Sequence, residues 1–161
     1  MTEPRWLNAD ERRAWLALLS INTMLPAALD NQLHTAGKLS LFDYNVMAML
    51  SEAEGRFLPM SELAARTSSS LSRLSHVVTK LEKRGFMQRR PHPGDARVTT
   101  AHLSDAGMAT LVSLAPGHVE AVRDKFLDAL TERDVADLAR IGEKIVARLN
   151  EDHWILRESS P

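Results

Sequence analysis

Apolar residues at Trp15, Leu18, Leu19, Leu25, Leu29 and Leu33 recur close to every 3.6 positions, the period of an amphipathic helix. Asn8 and Glu11 stand three apart ahead of this run, as in a capping box, and Gly37 ends it. Leu16, Ile21 and Met24 widen the apolar surface beyond one stripe, so this helix must be covered on more than one side. Pro26 predicts a kink or a division into two helices. Ser40 with Asp43 marks the next helix start, Val46, Met47 and Leu50 its buried face, and Gly55 its end. A compact helix follows from about Met60 to Thr67, and then Ser68, Ser69 and Ser70 predict a turn and an N-cap.

From about Leu71 to Arg84 the two faces separate cleanly. Leu74, Val77, Val78 and Leu81 share one side, while Ser72, Arg73, Ser75, His76, Thr79 and Lys80 share the other. Lys83 and Arg84 fall in the last turn, where cations complement the helix dipole, and Gly85 suits a left-handed C-cap. Phe86 to Arg90 reads as a short strand, Pro91-His92-Pro93-Gly94-Asp95 as a turn, and Val98 to Leu103 as the returning strand. Ser104 and Asp105 open another helix carrying Met108, Leu111, Val112, Val119, Val122, Phe126 and Leu130, with Pro116-Gly117 as a kink or break. Thr131 and Asp134 cap a last helix striped by Val135, Leu138, Ile141, Ile145 and Leu149; a loosely ordered tail is expected after about Trp154.

The expected fold is therefore mainly α: a winged helix-turn-helix with a two-stranded β-hairpin wing, flanked by N- and C-terminal dimerisation helices. It forms one domain, with the lobe at about 38–104 and the dimerisation helices at about 8–36 and 104–153. Trp6, Trp15 and Trp154 lie near the termini and read as core or interface anchors.

Charge sharpens this picture. The chain as a whole carries only −1, but Arg66 to Arg97 holds eight basic residues against two acidic ones, in an otherwise acidic body. A basic segment so placed is the footprint of a nucleic-acid face. The chain has no cysteine, which excludes disulfides, thiolate zinc sites and iron–sulfur ligation. Its six histidines are scattered with no i,i+4 pair, so no metal or other cofactor is implied. There is no phosphate loop, nucleophile elbow or paired-carboxylate pocket, so no enzyme is expected. No long apolar run predicts a membrane span and no secretory signal is apparent, so a cytoplasmic location is expected.

In a helix-turn-helix the second helix enters the major groove with its N-terminal residues at the base edges. Ser70, Ser72, Arg73 and His76 meet the need for small or long polar groups there. Arg73 is the candidate for base readout, because its planar fork pairs with guanine O6 and N7 together. Thr79 and Lys80 continue that face, Lys80 and Lys83 suiting phosphate contact, and Arg90, Asp95 and Arg97 on the wing complete the candidate site. A helical dimer acting as a protein-interaction module without DNA binding is the alternative, and the basic segment argues against it.

Ser61-Glu62-Leu63-Ala64, Ser72-Arg73-Leu74-Ser75, Leu81-Glu82-Lys83-Arg84-Gly85-Phe86, Asp95-Ala96-Arg97 and Leu103-Ser104-Asp105-Ala106-Gly107 together resemble the MarR family of bacterial regulators. The resemblance implies a homodimer built from the first and last two helices, on double-stranded DNA, with an Asp95–Arg97 pair holding the wing and Arg97 directed to the minor groove. It also implies that Ser72, Arg73, Ser75 and His76 lie where members contact bases and phosphates. A small anionic or phenolic effector between the dimerisation helices and the lobe is a further implication. Val98 stands where many members carry a second arginine, and Ser104 where threonine is commoner.

Overall fold

The computed structural model describes residues 3–158. Helix α1 (Ala9–Gly37) starts at the expected capping box: Asn8 and Glu11 each accept the other's backbone N–H at 2.9 Å. It runs through Pro26 as one helix. The carbonyl deprived of its partner there belongs to Asn22, which is exposed, so water replaces the missing bond and no break is required. In α5 (Asp105–Lys125) the helix likewise continues through Pro116. Both expected breaks are thus corrected.

Helix α2 (Leu41–Glu52) opens with a second capping box at Ser40 and Asp43. A three-residue strand, β1 (Phe57–Pro59), then pairs with the hairpin strand β3 (Asp95–Leu103), so the wing sheet has the order β1-β3-β2, with β2 at Met87–His92. β1 is too short to show alternation, and it ends in proline at a sheet edge. The backbone enters it through Gly55 and Arg56, both at positive φ, with the Arg56 guanidinium held 3.1 Å from Asp105. The hairpin turn is tighter than expected: Pro91 and His92 belong to β2, leaving Pro93-Gly94 as the tip. Helices α3 (Met60–Arg66) and α4 (Leu71–Lys83) form the helix-turn-helix, and the α4 cap is the expected Ser70.

The core lies in this lobe. Leu33, Leu39, Met47, Leu50, Leu63, Leu74 and Leu81 are fully buried where α1 and α2 meet α3 and α4. Besides the Arg56–Asp105 pair, two joints beside the end of α4 bind the lobe to the long helices. Arg84 donates to the Gly37 and Lys38 carbonyls at 3.0 and 2.8 Å, capping α1, and the Ser104 hydroxyl donates to the Gly85 carbonyl at 2.6 Å. The second joint explains Gly107: a Cβ there would fall 2.3 Å from the Phe86 carbonyl oxygen and 2.7 Å from the Leu103 side chain. Backbone cannot yield as a side chain does, so Gly107→Ala is expected to destabilise the chain by about 1–3 kcal/mol in urea unfolding.

The long helices outside the lobe are barely buried. α6 (Glu132–Leu149) starts at the expected Thr131–Asp134 box and has no buried residue, and Val135, Leu138, Ile141 and Ile145 along it stay 40–45 % exposed. Trp15, Leu18, Ile21 and Met24 on α1 and Val112 and Val119 on α5 are exposed as well. Among the described residues no helix is long and apolar enough to cross a membrane. The tail differs from expectation: Ile155–Glu158 form a short helix, α7, and His153 and Trp154 before it are tied to the helix-turn-helix.

Candidate nucleic-acid interface

Helix α4 presents the polar face that its period predicts, but tertiary contacts divide that face into free and committed groups. The Ser70 hydroxyl accepts the Arg73 backbone N–H at 3.2 Å, so it serves as the helix cap. Ser72 and His76 are exposed, and among the described residues neither has a hydrogen-bonding partner. Arg73 is exposed too; its Cζ stands 4.1 Å from the Phe42 ring centroid, a cation–π contact that orders the side chain without using its N–H donors. Ser75 and Thr79 are engaged with the wing, since Arg89 donates to the Ser75 carbonyl at 2.7 Å, the Ser75 hydroxyl at 3.1 Å and the Thr79 hydroxyl at 3.0 Å.

Lys80 is committed to the fold. Its ammonium lies 2.6 Å from the carboxylate of Asp43, which is buried and also caps α2. The pair joins α4 to α2, and removing Lys80 would leave the buried Asp43 carboxylate without its cation. Arg84 caps α1 and Arg66 pairs with Glu62 at 2.7 Å, so a good part of the basic segment holds the lobe together.

At the tip of the wing Arg97 makes a two-pronged pair with Asp95: Nε to Oδ1 at 3.0 Å and Nη2 to Oδ2 at 3.1 Å, with the Arg97 backbone N–H also on Oδ1 at 3.1 Å. Hydrogen bonds from the Arg97 side chain first, and its backbone second, hold the Asp95 carboxyl below the usual range, so the pair stays ionised around neutral pH. The Arg97 side chain is still 91 % exposed, held at its base and open to whatever approaches. Arg90 is placed elsewhere. It stands beside Gln88, to which it donates at 2.6 Å, in a polar cleft of about 390 Å³ with Arg56 and His102. Burial and then the Arg90 charge push His102 below its usual range. Strand alternation therefore turns Arg90 away from α4 and Arg89 toward it.

A model of the MarR family matches residues 39–99, the whole helix-turn-helix and most of the wing. Sco3205, a MarR family transcriptional regulator from Streptomyces coelicolor solved in complex with DNA, is 37 % identical; the alignment covers 93 % of this chain and 94 % of that one, with a TM-score of 0.88. The chain belongs to the MarR family. AbsC, a second MarR family regulator from Streptomyces coelicolor, is 36 % identical over 92 % of this chain and all of its own, with a TM-score of 0.87. The HTH-type transcriptional repressor YetL of Bacillus subtilis is 25 % identical over 86 % of this chain and 84 % of its own length.

As a MarR family member the protein is a DNA-binding transcriptional regulator that acts as a homodimer. In this MarR protein, Arg89 is the functional group that reading by charge alone passes over. Besides Ser75 and Thr79 it pairs with Glu82, whose Oε1 also accepts the Arg89 backbone N–H at 2.7 Å, so it clamps β2 against α4. A signal was present in the strand: Met87 is buried, and period two puts Arg89 on the Met87 side and Arg90 with Gln88 on the other. Leu71 was also passed over. It sits at the first position of α4, 55 % exposed, an apolar group in the part of the helix where polar ones were expected.

Proposed function

We propose that this MarR regulator is a repressor that binds a pseudo-palindromic operator, with α4 of each subunit in successive major grooves about one helical turn apart. The observation that carries this reading is the free set on the outer face of α4: Ser72, Arg73 and His76 are exposed while the side chains around them are spent on the fold. Arg73 reads a base edge and Ser72 and His76 bond bases or phosphates beside it. Leu71 suits a thymine methyl. Ser70, Ser75, Thr79 and Lys80 act by shaping the helix, and Arg97, presented by Asp95, enters the minor groove. Arg90 contributes charge from the back of the wing. Repression follows from occupying duplex that polymerase needs.

Release by a small ligand is supported at the junction of α1, α2 and α5. There the His118 ring lies 4.3 Å from that of Tyr44, and Gln32 Oε1 and His118 Nδ1 are both buried without a partner. Burial lowers the His118 pKa and raises that of Tyr44, so both are neutral near pH 7. A ligand satisfying those atoms in one lobe separation only would shift the dimer toward it.

Selection of bound duplexes from a random pool, followed by anisotropy over a salt series, tests the reading. A palindromic winner, bound by the dimer with affinity falling steeply as salt rises, is expected. Failure to enrich any sequence would leave the interaction-module alternative in its place. On the selected operator Arg97→Ala is expected to weaken binding by about the same factor for specific and random duplex, because a minor-groove and backbone contact carries little base information.

A further inference from the structure

The two joints at Gly37–Lys38 and Ser104 both lie beside Arg84 and Gly85, at the C-terminal end of α4. Those are the bonds that tie α4 itself to the long helices, while Asp30 on the Leu41 N–H, Arg56 on Asp105 and Tyr44 against His118 hold other parts of the lobe. α4 has 13 residues, so its N-terminal, base-reading end lies about 20 Å away, at 1.5 Å of rise per residue. A small rotation at the joints would displace that end by several ångströms.

The chain supplies another attachment at the far end. Beyond α6 the Trp154 indole N–H donates to the Arg66 carbonyl at 2.9 Å, satisfying one of the open carbonyls at the end of α3. Next to it, His153 Nε2 lies 3.1 Å from the Ser68 hydroxyl in the α3–α4 turn. Ser68 itself is the left-handed residue, at a φ of 49°, with which the chain turns out of α3. Between its two ends α6 has no buried residue in its own chain, so its apolar stripe belongs to the dimer while its end grips the lobe.

We propose that His153 and Trp154 form a strap that pins the base-reading end of α4 to the dimer platform and so sets the half-site spacing the protein accepts. The strap rests on the operator reading above. It adds a support at the base-reading end of the helix to the joints at its C-terminal end. Each recognition helix then stands at a defined distance from its twin. His153 and Trp154 are positioning residues, touching no DNA themselves.

The test uses the full-length dimer and synthetic palindromes carrying the selected half-sites, with the central spacing lengthened or shortened by single base pairs. Anisotropy is measured for the wild type, for Trp154→Phe, which keeps the ring and removes the donor, and for His153→Ala. The wild type is expected to prefer one spacing sharply. Each variant is expected to remain dimeric and to lose about tenfold in its preference for that spacing over its neighbours, the weight of one or two hydrogen bonds. An unchanged preference, or an equal loss at every spacing, would overturn the strap while leaving the operator reading intact. A wild type that separates no palindrome from random duplex would overturn both.

Discussion

Ile141→Glu is expected to turn the dimer into a monomer at micromolar concentration and to cost DNA affinity at least about a hundredfold. Ile141 lies mid-way along the α6 stripe, 44 % exposed, among Leu138 and Ile145 and with no buried residue in its helix. In the dimer expected to pack through the end helices that stripe is covered. An unpaired carboxylate buried there costs about 3–5 kcal/mol, and two-fold symmetry imposes it twice. The sum rivals the about 8–12 kcal/mol of a micromolar to nanomolar dimer. The core of the lobe is made elsewhere, so the monomer keeps its helical content. Equilibrium sedimentation measures the mass, and circular dichroism the fold. A variant that stayed dimeric would place the interface away from α6.

The second large effect is on sequence discrimination. Arg73→Ala is expected to lower the ratio of specific to random binding by about tenfold to a hundredfold per half-site, since a good bidentate pair discriminates by about 1–3 kcal/mol. The Phe42 ring 4.1 Å from Cζ holds the guanidinium in place before DNA arrives, which lowers the ordering cost of the contact. Stability should barely change, because Arg73 is exposed and no hydrogen bond of the fold uses its side chain. Competition binding with operator and random duplex gives the ratio directly. Equal losses on both would assign Arg73 to phosphate. Set beside Arg97→Ala, which weakens both alike, the pair separates reading from anchoring.

These outcomes depend on features that differ in how they are encoded. Local signals within one turn of helix were legible in the chain itself. The boxes at Asn8, Ser40 and Thr131, the cap at Ser70, the outer face of α4 and the apolar stripe of α6 all appear where the residues place them. Each depends on partners three or four positions away, so spacing alone determines it. The hairpin was legible for the same reason, although its turn is tighter than the proline-rich segment suggested.

What only the tertiary structure decided is how polar groups on a known face are spent. Lys80 meets Asp43 across 37 positions of chain, and Trp154 reaches Arg66 across 88. No periodicity reports such a pair, because the attraction depends on where packing has brought the partner. Packing likewise made β1 a strand although three residues carry no pattern of their own. It also let α1 and α5 pass through Pro26 and Pro116 as continuous helices. The sequence by itself determined the capped helices, the hairpin, their exposed faces and hence the kind of partner. Tertiary structure decided which side chains on those faces remain available, because a charge or donor is free only when nothing distant in the chain has been folded against it.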